Sequence, residues 1–251
     1  MCGISGVAGS VTGKEELVFR QLLFMNTVRG SDSTGIANVK RDGKVYNAKD
    51  IVEPWYFFET KQSKRAFEGV NKLFIGHNRA ATRGKISRNN AHPFHFDNVI
   101  GVHNGTLYPS SINKLKYGNY YETDSEALYA EIDESGIEDV IPKIEGAWAL
   151  VYWDIKNQTL NMLRNSDRTL YYAFNNEKTV MFWSSEHGML CSAMERNGIS
   201  RKIENTHLLL EDTVHTWTIP EKDKAFGEAS RKALKGFIAP PQTHTTHHRG
   251  M

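Results

Sequence analysis

The sequence predicts an α+β sandwich, and three observations predict it: strand-type runs outnumber helical patterns, consecutive strand runs are joined by short polar turns, and no repeat of fixed period breaks the pattern. The strand runs are Ser5–Ala8, Gly35–Val39, Leu73–Arg79, Val99–His103, Ala147–Asp154, Thr159–Arg164, Tyr171–Phe174, Thr179–Trp183 and Thr213–Trp217, many rich in β-branched and aromatic residues. Turns such as Ile155–Gln158 and Asn175–Lys178 are too short for a helical crossover, so neighbouring strands should be antiparallel. Lys14–Val28 places Leu17, Gln21, Leu22, Met25 and Val28 at helical spacing without proline and reads as an amphipathic helix ending at Arg29-Gly30. A second helix should start at Thr123, where Thr-Asp-Ser-Glu supplies a capping box ahead of Ala127, Leu128 and Ile132. Ser184 or Ser185 should cap a third, running through Met194. After Trp217 the composition shifts to Lys, Pro, Gln, Thr and His, so residues 219–251 read as a short helix and a flexible His-containing tail behind one domain spanning 1–218.

Composition excludes several function classes. With 31 Lys+Arg against 29 Asp+Glu, the net charge of +2 offers no strong field for nucleic acid or an anionic membrane. Two cysteines, Cys2 and Cys191, cannot build a disulfide framework or a zinc ribbon, which fits a reducing cytoplasm. The N-terminus lacks the basic region of a signal peptide, and the longest apolar run, Gly146–Trp153, is far too short to cross a bilayer. His77, His92 and His103 fit no compact ligand spacing, so neither a metal nor another cofactor is expected.

Cys2 carries the most information. A small second residue normally permits removal of Met1, and the exposed α-amine, with a pKa of about 7.7–8.0, can then take the proton of its own thiol. The bland alternative is a small buried hydrophobe. Gly3, Gly6 and Gly9 follow at three-residue spacing, and a glycine directly after a nucleophile would leave room for substrate. Polar clusters then recur at Asn26–Gly35, Gly76–Gly84, Asn90–Phe94, His103–Leu107 and Glu122–Glu126. An Asn-Gly pair such as Asn104-Gly105 also reads, in isolation, as a hairpin turn.

With these clusters in this order, residues 2–190 resemble the glutaminase domain of class II glutamine amidotransferases, the N-terminal-nucleophile hydrolases. The resemblance implies a four-layer αββα sandwich of two antiparallel sheets and hydrolysis of L-glutamine through a Cys2 thioester to glutamate and ammonia. It assigns the carboxylate clamp to Arg79, the ammonium to Asp124, a pocket position to Thr82, and the oxyanion hole to the Asn104 side chain and the Gly105 backbone. Arg29 and Gly3 would support the N-terminal residue, with Asp32 and Ser33 structural. Two positions depart from the family: Ala80 replaces a frequent aromatic residue, and Arg83 replaces a histidine of one branch. Only about thirty residues follow Trp217, so ammonia would pass to a separate synthase partner or within a homo-oligomer. Hydrolysis of another amide and non-catalytic glutamine binding are the competing readings.

Overall fold

The computed structural model describes residues 1–199 and 206–234. In chain order its strands are β1 Gly3–Gly9, β2 Ser33–Lys40, β3 Val45–Asp50, β4 Asn71–Arg79, β5 Phe94–His95, β6 Val99–Leu107 and β7 Gly146–Asp154. They continue with β8 Thr159–Arg164, β9 Tyr171–Phe174, β10 Val180–Ser184, β11 Thr206–Leu208, β12 Thr213–Thr218 and β13 Ser230–Ala233. The helices are α1 Gly13–Met25, α2 Pro54–Phe57, α3 Lys61–Phe67, α4 Pro109–Lys114, α5 Asp124–Ser135, α6 Ile137–Val140 and α7 His187–Arg196. One antiparallel sheet has the order β11-β9-β10-β1-β4-β2-β3 and the other β13-β12-β8-β7-β6-β5.

Strand alternation explains the layering. Side chains of a strand point to opposite faces, so Ile4 and Ala8 enter the core between the sheets while Val7 faces the helices. The inter-sheet core joins Ile4, Ile75 and Trp183 to Val102, Val151 and Trp153. On the outer face of the first sheet, Phe19, Leu22 and Leu23 of α1 and Leu190 of α7 cover Phe74 and Phe182. On the outer face of the second, Leu128, Tyr129 and Ile132 of α5 cover Leu150, Tyr152 and Leu163. Burying each such side chain contributes about 1.5–3 kcal/mol. Three cores between four layers are the αββα sandwich that the family resemblance implies.

Several local readings change. α1 ends at Met25 rather than Val28 and buries Val18, Phe19, Leu22 and Leu23, whereas Leu17 is 56% exposed and Val28, in the 3-10 turn that follows, 84% exposed. The apolar stripe therefore sits about one residue away from the expected one. Asn104-Gly105 is no turn; β6 runs straight through it, pairing those residues with Ala149 and Trp148 of β7. Thr123 does cap α5, its hydroxyl accepting from the Glu126 N–H at 3.2 Å. The N-cap of α7 is Glu186, not Ser184 or Ser185, because both serines finish the β10 edge: Ser185 N–H donates to Ile4 O at 2.9 Å. No helix follows Trp217 among the described residues. Ser230–Ala233 instead pairs with β12, so the sandwich extends past residue 218. The His-rich tail lies outside the described residues. No described helix is long and apolar enough to cross a membrane.

Candidate active site

β1 is central in its sheet, between β10 and β4. Gly3 pairs with Asn78, so the register carries residue 2 across from Arg79 at the C-terminal end of β4. Cys2 is buried, and its sulfur accepts the Ala80 N–H at 3.4 Å while lying 3.5 Å from Ala80 O. Burial pushes the thiol above its ordinary value, opposed by the Ala80 N–H, the chain's amino terminus and Arg79 and reinforced by Asp124. A buried thiol held neutral is a weak nucleophile, so the site needs a base within reach.

The N-terminal segment is held from behind. Arg29 Nε donates to Cys2 O at 2.9 Å, and the same guanidinium pairs with Glu186 at the start of α7. Gly3 serves packing of a kind the sequence did not reveal: a Cβ there would lie 2.5 Å from Asn26 Cγ, so the freed room belongs to a buried side chain rather than to substrate. Asp32 fixes the following loop by accepting the Ala81 N–H at 2.7 Å.

Cys2, Arg79, Thr82, Gly105 and Asp124 line one cavity of about 10 Å³, joined by His92, His103 and Ser125. Arg79 is buried and gives NH1 to Lys85 O (3.1 Å) and NH2 to Arg83 O (2.6 Å). Burial lowers its pKa, while Cys2, Asp32 and Asp124 hold it up. Asp124, the first residue of α5, accepts from the Leu107 N–H and the Ser125 N–H, each at 2.9 Å. The site thus presents a held cation and a held anion in the same cavity as a thiol. Thr82 meets Thr106 hydroxyl to hydroxyl at 3.2 Å across the mouth.

β6 supplies the remaining groups. Residues two apart on a strand send their N–H to the same edge; the Leu107 N–H leaves the ladder for Asp124, so the Gly105 N–H leaves by that edge too, on the cavity side. Asn104 faces the other sheet, with Nδ2 3.4 Å from Ser185 Oγ and its Oδ1 without a partner among the described residues. Ser185 Oγ also accepts the Ile4 N–H at 3.0 Å, tying Asn104 to the strand of the nucleophile. Asn104 is beside the cavity rather than in its wall.

Sequence reasoning missed Ser125 and Ser185, whose hydroxyls bond residues distant in the chain, and the Ala80 N–H, which acts through backbone position and carries no residue signature. It also set aside three histidines that form a buried cluster. His77 Nε2 donates to His103 O at 3.0 Å, His77 and His92 rings lie 3.9 Å apart, and His103 Nδ1 meets Ser125 Oγ at 2.9 Å with Nε2 towards the Ala147 carbonyl. Burial lowers all three pKa values, that of His77 to about 3. Such groups bind protons more readily unfolded than folded, so stability is complete above the unfolded value of about 6.5 and is lost as pH falls from there towards 3. Denaturant unfolding at pH 7.5, 6, 5 and 4 should give a falling midpoint, and His77→Gln should flatten that slope. A midpoint constant down to pH 4 would remove the argument. No group of three or more His, Cys, Asp or Glu side chains able to hold a metal occurs among the described residues.

A sandwich of this layering, with a thiol at the start of its central strand, has the fold of the N-terminal-nucleophile hydrolases. A family profile described as a glutamine amidotransferase domain matches residues 77–191. Glutamine–fructose-6-phosphate aminotransferase of Synechocystis is 34% identical over 61% of this chain and 27% of its own length. A 7-cyano-7-deazaguanine synthase of Sulfolobus acidocaldarius is 23% identical over 89% of this chain and 52% of its own. Among solved structures, the glutamine phosphoribosylpyrophosphate amidotransferase of B. subtilis superposes with a TM-score of 0.68 at 18% identity, covering 93% of this chain and 49% of that one. A glutamine aminotransferase class-II domain protein from Silicibacter pomeroyi covers 93% of this chain and 99% of its own at TM-score 0.57 and 15% identity, a likeness of fold. The similarity to a glutamine amidotransferase domain is thus carried by residues 77–191. The chain spans about a quarter to a half of the length of the curated relatives it matches.

Proposed function

We propose that this chain hydrolyses the side-chain amide of L-glutamine through a Cys2 thioester, giving glutamate and ammonia for a separate acceptor enzyme or a second copy of the chain. The observation that carries this reading is a buried thiol sharing one cavity with Arg79 and Asp124, a cation and an anion able to take the two charged ends of a zwitterion. Met1 is 68% exposed and open to removal. The freed α-amine takes the thiol proton, the thiolate attacks the amide carbon, and the Gly105 N–H receives the oxyanion, joined by Asn104 once its Nδ2 turns from Ser185 towards the cavity beside it. The same amine then protonates the departing ammonia, leaving an acyl-enzyme for water.

The cavity holds roughly one water-sized molecule, so glutamine enters only as Arg79 exchanges its carbonyl partners at Lys85 and Arg83 for a carboxylate. That exchange favours the charged ligand, since hydrogen bonds between ions are stronger than those to neutral carbonyls. Arg79→Gln should therefore raise KM for glutamine by about 10²-fold or more with a smaller change in kcat. Glutamate release by wild type and Arg79→Gln, alongside glutamine α-amide as substrate, tests the reading. Equal use of glutamine and its α-amide by the wild type would defeat it. Native mass of the purified protein tests the second copy, and a strictly monomeric chain leaves only the separate acceptor.

A further inference from the structure

His92 lines the Cys2 cavity and takes no part in the chemistry described so far. It is 4% exposed, and neither ring nitrogen has a hydrogen-bond partner among the described residues. The ring is held between His77, at 3.9 Å, and the edge of Phe94, at 4.7 Å, so it cannot swing out to solvent. The charged groups of the wall are engaged, Arg79 with two carbonyls and Asp124 with two N–H groups, and His103 is half engaged, its Nδ1 with Ser125 and its Nε2 without a partner among the described residues. His92 is thus the ring of this wall with both nitrogens unclaimed, able to offer a small polar molecule a donor and an acceptor. A buried polar ring without partners calls for such an explanation, and about 10 Å³ admits one water.

We propose that His92 orients the water molecule that hydrolyses the Cys2 thioester. The proposal rests on the glutaminase reading and deepens it. Once ammonia has left, water forms a C–O bond to the acyl carbon and gives a proton to the Cys2 α-amine. Collapse of the tetrahedral adduct breaks the C–S bond, the sulfur recovers that proton, and glutamate departs. His92 neither gains nor loses a proton: burial keeps it neutral, so one nitrogen accepts a hydrogen bond from the water and the other remains a donor.

The experiment uses the Met1-processed full chain with glutamine under rapid quench, following ammonia as the report of acylation and glutamate as the report of deacylation. His92→Phe should release ammonia in a burst of about one equivalent per site and then turn over about tenfold or more slowly. Added hydroxylamine, a stronger nucleophile that needs no placed water, should restore turnover as γ-glutamyl hydroxamate. His92→Asn, which keeps a polar edge, should show a smaller burst and a smaller loss, and it decides the matter if the Phe variant unfolds. Slow turnover without a burst in the folded variants, or wild-type turnover in both, overturns the role. A wild type that releases neither product removes the glutaminase reading itself, and this role with it.

Discussion

Cys2→Ala should reduce glutamate release by about 10⁴-fold or more, because the nucleophile and its built-in base act as a unit and losing either forfeits both. Cys2→Ser should retain only a small residue of activity, since a hydroxyl is far harder than a thiol for an amine to deprotonate. Ser keeps the shape of Cys and Ala removes a single heavy atom at a site beside a cavity, so the loss should come with unfolding midpoints near wild type. The same unit predicts the cost of retaining Met1. Protein prepared with methionine aminopeptidase inhibited, and shown by mass to keep Met1, has an amide nitrogen where the base should be and should lose about 10²–10⁴-fold in turnover. Full activity with Met1 in place would mean that another group takes the proton. The nearest side-chain candidates are poorly suited: His77, His92 and His103 have pKa values lowered by burial, and Arg79 stays cationic.

The parts of the fold that were legible in the sequence are those where side-chain period sets the structure. β8 and β9 match their sequence runs residue for residue, because short runs rich in apolar and aromatic residues, bounded by polar turns, leave few other readings. Thr123 was legible as a cap because an N-cap acts within one turn. What was hidden depends on distant pairing. Ser-Arg-Lys-Ala carries no strand pattern and becomes β13 only because β12 offers it a hydrogen-bonding edge. Asn104-Gly105 looked like a turn by local preference, yet nine ladder positions along β7 keep it extended. At the site, residues that reach across with charge or a thiol were named in advance. Those that work through a backbone N–H, as Ala80 does on the Cys2 sulfur, were not, because any residue type has one.

Gly105→Ala should cost both stability and turnover, for a reason visible in the strand. A Cβ at this position would lie 1.8 Å from Ala147 O and 2.6 Å from His103 Nε2. Neither neighbour can yield cheaply: the first is backbone of β7, and the second belongs to a ring pinned by Ser125 at 2.9 Å. β6 must therefore move off β7, at about 1–3 kcal/mol or more, which for a chain of this size lowers Tm by roughly 2–4 °C per kcal/mol. The same displacement carries away the Gly105 N–H, and loss of one oxyanion donor costs about 10²–10³ in kcat. Gly13→Ala is the matching control, since nothing lies within 4 Å of its added Cβ in the first turn of α1. That variant should keep wild-type turnover and match or slightly exceed wild-type Tm. If Gly105→Ala lowers Tm but keeps kcat well below its unfolding range, Gly105 is a packing residue only, and the oxyanion rests on Asn104 alone.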